Sequence, residues 1–355
     1  MKAWLETRQV LDALAECQRA GTPAALATVI RVRGSAYRHE GAKLLVRADG
    51  THVGNVSGGC LEGDVREVAR RVIASGVAER RSYCGGADEV AAWDLGVGCE
   101  GEVEVLIEPV TDDRAAARTA MDAEVPFVAL TVLDGERAIA HETLTGAAAE
   151  AWCGGGSRLE TRDGREVFVD VLRPAPRLLV VSAGDDAIPL ARLAATVGFR
   201  VVVADRRPGL LTAERFPAPI RLVDADAARL GERVVREAGD AAVVMTHHFA
   251  DDAAYVGALL AGPAHYVGVL GPRSRTARLL ARLGAAAQSQ GDRIFGPVGL
   301  DIGTDGAEQV ALAVVAEVLA VRSGRAPRSL RDRRAPIHAD APSVEAAAER
   351  TAGGD

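Results

Sequence analysis

The chain has 355 residues, 48% of them hydrophobic and 26% charged, which suits two globular domains with separate cores and excludes a disordered polymer. Its net charge of -7 opposes general nucleic-acid binding, which needs a basic face to displace counterions; of 42 basic residues only Lys2 and Lys43 are lysine. No apolar run approaches the roughly 18 residues of a membrane span; the charged start MKAWLETRQV lacks the apolar centre of a signal peptide, and Cys17, Cys60, Cys84, Cys99 and Cys153 fit free thiols in a reducing, cytoplasmic compartment.

Along the first part of the chain, Trp4, Val10, Leu11 and Leu14 recur at helical spacing over 4–20, closed by Gly21. Strand-like runs follow at 24–30, 42–48 and 102–110. A glycine-rich turn, GNVSGGC at 54–60, feeds a helix over 61–75 whose apolar face is Leu61, Val65, Val68, Ala69, Val72 and Ile73. Glu62 and Asp64 complement its positive end, and Gly76 closes it. Asp134-Gly135 between two alternating runs predicts a hairpin.

Residues 1–145 are therefore expected to form a mixed α+β domain, and the weakly patterned Gly- and Ala-rich stretch 146–172 an excursion and linker. From 173 to 325 strands and helices alternate, with strands at 177–184, 200–208, 220–225, 241–247 and 265–271 and helices at 187–198, 227–238, 251–261 and 274–283. That alternation predicts an α/β, Rossmann-like parallel sheet, closed by a long apolar helix at 306–324. Residues 326–355, rich in Arg, Pro and Ala, read as a disordered tail.

Three places could carry chemistry in the first domain. Ser57-Gly58-Gly59-Cys60-Leu61-Glu62 opens a helix, where free amides attract anions and the dipole favours a thiolate able to meet a soft metal. A tight turn around a structural cysteine explains the same residues. Arg33, Arg38 and Lys43 flank a Gly-Ser turn between strands, so that their charges either converge on an anion or are solvated. Gly98-Cys99 is a second glycine-cysteine turn that could face the first. The chain has no C-x-x-C or H-x3-5-H zinc spacing, no G-x-S-x-G elbow and no phosphate-binding P-loop.

In the second domain Gly184 lies in the first strand-to-helix turn and Asp205, 21 residues on, ends the second strand, the place of a ribose-binding acid. His247 ends a later strand beside the same crevice. Ser182 and Ile188 stand where the dinucleotide fingerprint has glycine, and the acidic pair Asp185-Asp186 would repel a phosphate. An NAD(P)-dependent oxidoreductase is the second functional reading.

Taken together, RVRGSAYRHEGAKLLV, DGTHVGNVSGGCLEGDV, DLGVGCEGEVEVLIEP, RLLVVSAGDDAIPLARLAATVGFRVVVADRRP, VVMTHHFADD, YVGVLGPRSR and GPVGLDIGTDGAEQVALAVVAEVLA resemble the XdhC/CoxI family, in the same order and over nearly the whole chain except 111–165. The resemblance implies a cytoplasmic, dimeric maturation chaperone rather than a catalyst. It implies that such a protein binds molybdenum cofactor (molybdopterin), supports its sulfuration by a cysteine desulfurase, and inserts it into a molybdenum hydroxylase apoenzyme of the xanthine dehydrogenase or CO dehydrogenase type. In that light Cys60, opposite Cys99, is expected to touch the metal or its sulfido group, with Ser57, Gly58, Gly59, Glu62 and Gly98 around it. Arg33, Arg38 and Lys43 are expected at the anionic parts of the cofactor. Where family members carry G-A-G-H, this chain has Ser182-Ala183-Gly184-Asp185, which speaks against nucleotide binding.

Overall fold

A computed structural model describes residues 2–34, 36–84, 101–112, 114–135, 137–234, 237 and 239–333. The chain divides into two compact units at Pro174/Ala175.

The first unit holds α1 (Lys2–Ala20), β1 (Ala24–Arg33), β2 (Lys43–Arg47), β3 (His52–Gly54), α2 (Glu62–Ser75), β4 (Glu79–Cys84) and β5 (Glu102–Pro109). It continues with α3 (Ala115–Asp122), β6 (Phe127–Asp134), β7 (Arg137–Thr145), α4 (Gly146–Glu150), β8 (Arg158–Arg162) and β9 (Arg165–Leu172). These strands form two antiparallel sheets, one ordered β3-β2-β1-β5-β4 and one ordered β7-β6-β9-β8.

Strand alternation gives β1 two buried faces. Ala25, Ala27 and Val29 pack on the Val65, Val68 and Val72 stripe of α2. Leu26 meets Val10 and Leu14 of α1, and Ile30 joins Leu106, Leu133 and Phe168 across the gap to the second sheet. Gly54 ends β3 at φ +89°, and a Cβ there would lie 2.3 Å from the Lys43 carbonyl oxygen, so only glycine fits. The Asp134-Gly135 hairpin forms as expected, with Gly135 at φ +60°.

The stretch 146–172, expected as an excursion and linker, instead supplies α4, β8 and the central strand β9. Phe168 and Val169 of β9 are buried, and Phe127 pairs with Leu172 in its ladder with β6. Its Gly- and Ala-rich half is the connection into β8; the strand signal sits in REVFVDVL, where alternate side chains face the other sheet.

The second unit contains β10 (Arg177–Val181), α5 (Ala187–Val197), β11 (Arg200–Asp205), β12 (Arg221–Asp224), α6 (Leu230–Arg233) and β13 (Ala241–Val244). It ends with α7 (Phe249–Leu260), β14 (Tyr266–Val269), α8 (Arg273–Leu283), α9 (Ala285–Gln288), β15 (Ile294–Phe295) and α10 (Ala307–Arg322). All strands are parallel, in the order β12-β11-β10-β13-β14-β15. Numbered within the unit this is 3-2-1-4-5-6, the Rossmann order.

Leu179, Val181, Val202 and Val244 pack against Val256, Leu259 and Leu279 of α7 and α8, while Leu178, Val180 and Val203, equally buried, face the opposite side. The helix expected over 227–238 is short: it ends at Arg233, and Val234 turns extended and is buried. No helix among the described residues is long and apolar enough to cross a membrane. Of the expected tail, 334–355 lies outside the described residues.

Candidate functional site

In the first unit the turn between β3 and α2 is built by one acid. The Glu62 carboxylate accepts the amides of Val56 (3.1 Å), Ser57 (2.9 Å) and Gly59 (2.9 Å), and the Ser57 hydroxyl donates to it as well. Ser57 Oγ in turn accepts the Gly59 amide at 3.2 Å and the Leu61 amide at 3.0 Å. Burial pushes the Glu62 carboxyl up, but the Ser57 hydroxyl and these amides outweigh it and hold the group below its usual value. Glu62 is therefore spent inside the loop as a clasp.

The clasp fixes Gly59 and Cys60 at the mouth of α2. Gly59 sits at φ +124°, with open space where a Cβ would be, and Cys60 is half-buried against the β1–α2 core. The first turn of α2 leaves the amides of Glu62 and Gly63 without intrahelical acceptors. A partly exposed thiol beside a helix N-terminus is a suitable contact for a soft metal or its sulfur. No group of three or more His, Cys, Asp or Glu is placed for a metal ion among the described residues. Gly98 and Cys99, and with them the expected placement of Cys99 opposite Cys60, lie outside the described residues.

The three expected cations do not converge on one point, because each has a carboxylate of its own. Arg33 reaches Glu102 at 3.1 Å, Arg38 pairs with Glu6 on α1, and Lys43 bonds Asp170 at 2.5 Å and the Gly41 carbonyl at 2.8 Å. Arg38 and Lys43 nevertheless line one cavity of about 160 Å³, together with Tyr37 and Thr7. Tyr37 joins that cavity to the glycine loop: its ring lies 2.9 Å from where a Gly58 Cβ would stand. Residue patterns did not reveal Glu6, Thr7 or Asp170, since the last is 127 positions from Lys43.

In the second unit the expected residues gather at the carboxyl ends of β10, β11 and β13, where the strand order reverses. Protein groups already occupy them. Asp205 accepts the Ala183 amide (2.7 Å) and a two-pronged Arg207 guanidinium (2.9 and 2.8 Å). Burial raises the Asp205 carboxyl, and Arg207 with the two amides more than reverses that. The Gly184 amide is taken by Ser182 Oγ at 3.0 Å, and His247, at φ +61°, reaches Asp186 at 2.6 Å across the crevice. Beside them a cavity of about 90 Å³ is lined by Arg206, Arg207, Thr246 and Tyr255.

Comparison with known proteins matches both units. Residues 178–318 match the family described as the XdhC Rossmann domain, and residues 17–83 match the XdhC and CoxI family. A Bacillus subtilis (strain 168) protein named as a probable xanthine dehydrogenase subunit is 33% identical over 332 residues, which are 88% of this chain and 96% of that one. This chain belongs to the XdhC/CoxI family.

Within the XdhC/CoxI family, the Escherichia coli (strain K12) protein named molybdenum cofactor insertion chaperone PaoD is 27% identical over 321 residues, covering 89% of this chain and 88% of its own. A crystal structure described as a xanthine dehydrogenase from Bacillus halodurans superposes with a TM-score of 0.74 at 29% identity, covering 90% of this chain and 98% of that one. The likeness therefore spans both units of the XdhC/CoxI chain.

Proposed function

We propose that this protein is a maturation chaperone that binds molybdenum cofactor, holds it while a cysteine desulfurase supplies the sulfido sulfur, and passes it to a molybdenum hydroxylase apoenzyme of the xanthine dehydrogenase or CO dehydrogenase type. The observation that carries the reading is the clasped Ser57-Gly58-Gly59-Cys60 loop, which holds a half-buried thiol at the mouth of α2. A relative named for cofactor insertion supports it. Cys60 is the contact for the metal or its sulfur; the first-turn amides of α2 and the cavity of Arg38 and Lys43 take the rest of the cofactor. When bound, the cofactor supplies the redox-active metal. This chain supplies a binding surface and exclusion of water, and acts in the cytoplasm as a homodimer.

The test is purification under anaerobic conditions from cells with and without cofactor synthesis, followed by assay of molybdenum and of the oxidised pterin derivative. Both should co-purify only from the first cells. Their absence from protein made in cofactor-rich cells would overturn the proposal.

A second reading, an NAD(P)-dependent oxidoreductase, has in its favour the 3-2-1-4-5-6 strand order and the cavity beside Asp205. It ranks below the first because Arg207 fills the ribose acid and the Asp186–His247 pair closes the crevice. Saturable quenching of NAD(P)H fluorescence would revive it.

A further inference from the structure

Tyr37 is the most exposed large apolar side chain among the described residues, at 67%. A single exposed ring is ordinary on a protein surface and implies nothing alone. What sets this one apart is the glycine it rests on. Gly58 is not among the glycines at positive φ, so its backbone does not demand glycine. The three atoms nearest to a Cβ placed at Gly58 all belong to the Tyr37 ring: Cδ1 at 2.9 Å, Cε1 at 3.1 Å and Cγ at 3.2 Å. The ring is therefore what keeps a side chain out of position 58.

Those distances also fix how the ring lies. Were it edge-on to Gly58, Cε1 and Cγ would stand well behind Cδ1; nearly equal distances put the glycine against the face of the ring. One face thus rests on backbone, and at 67% exposure the opposite face is open. Such a seat buries little apolar surface, so the contact positions the ring and adds little to the core. The seat itself is held firmly: the amides of Ser57 and Gly59, on either side of Gly58, both donate to Glu62. Cys60 follows two residues later in the same clasped loop.

Around the ring the chemistry is polar. The cavity of about 160 Å³ that Tyr37 helps to line is walled by Arg38, His39, Glu40 and Lys43, and Ala42 is its only purely aliphatic side chain. An apolar anchor from a partner protein is held in a dry, closely packed pocket, which these residues do not provide. A flat heteroaromatic ring needs a π-face to stack on and polar groups around its edge. An open aromatic face beside charged side chains supplies the two together.

We propose that Tyr37, seated on Gly58, is a stacking platform for a flat heteroaromatic ring, and that this ring is the pterin of the cofactor. The inference rests on the cofactor-binding reading above and adds the residue that takes the ring, separate from the thiol that meets the metal or its sulfur.

Full-length protein titrated calorimetrically with unsubstituted pterin tests the platform. Wild type should bind saturably and Tyr37→Phe equally well. Tyr37→Ala should bind about fivefold more weakly or worse, the low end of what stacking on one aromatic ring contributes. Gly58→Ala pushes the ring off its seat, so it should weaken binding in the wild-type background and have no further effect in Tyr37→Ala. The thermal midpoint of Tyr37→Ala should equal that of the wild type, because the lost ring is exposed. Absence of saturable pterin binding at millimolar concentration, or equal affinity in wild type and Tyr37→Ala, overturns the inference. If molybdenum still co-purifies with the wild type in that case, the proposed function survives without the platform. Tyr37-dependent pterin binding by a protein that never retains molybdenum would support the platform and remove the proposed function instead.

Discussion

At the residue scale the first unit is organised by a few carboxylates that hold polar groups over long sequence separations. Glu62 gathers three amides and a hydroxyl, so Glu62→Gln should destabilise the protein by about 1–3 kcal/mol at neutral pH, read as a lower urea midpoint. Because folding lowers this carboxyl below its ordinary 4.5, its contribution is fully present above that pH and is lost as the pH falls through the lowered value. The gap between wild type and Glu62→Gln should therefore close in acid. An equal gap at pH 7 and pH 3 would contradict the clasp. Lys43 and Asp170 form a nearly dry pair, with side chains 11% and 6% exposed. Lys43→Met leaves a buried carboxylate without its cation and should cost about 3–5 kcal/mol by denaturant titration. None of these pairings is legible in the sequence, because Glu6 and Asp170 carry no local pattern that points to Arg38 or Lys43.

Among the elements, those with a strong period were readable and those defined by distant partners were not. The apolar stripe Val65, Val68, Val72 with Gly76 behind it marks α2 unambiguously, and Gly76 does cap it in a left-handed conformation. The strand β9 was missed as part of a sheet because its neighbour β8, RLETR, is polar and owes its conformation to pairing with β9. The parallel, Rossmann-like sheet of the second unit followed from strand–helix alternation, whereas the filling of its crevice by Arg207 and His247 did not, since both residues also suit a ligand site. Gly54 tests the turn that carries the site. Gly54→Ala would set a Cβ against the Lys43 carbonyl at a left-handed φ of +89°, and should lower stability by at least about 1–3 kcal/mol in thermal unfolding. Gly59→Ala meets no atom within 4 Å, so its loss should be smaller, set by φ alone.

For the whole molecule, the two units combine differently with function. The first carries a half-buried thiol, a glycine turn and two cavities lined in part by Lys43; the second carries a nucleotide-type sheet whose ligand positions are filled by its own side chains. The proposed cofactor site accordingly lies in the first unit, with Cys60 as its decisive group. Wild type and Cys60→Ala, prepared side by side under anaerobic, cofactor-rich conditions, can be compared by molybdenum bound per protein chain, with the thermal midpoint as the control for folding. The account predicts a loss of at least about tenfold in bound molybdenum, about 1.4 kcal/mol of binding, at an unchanged midpoint. Equal molybdenum content in the two proteins would contradict it.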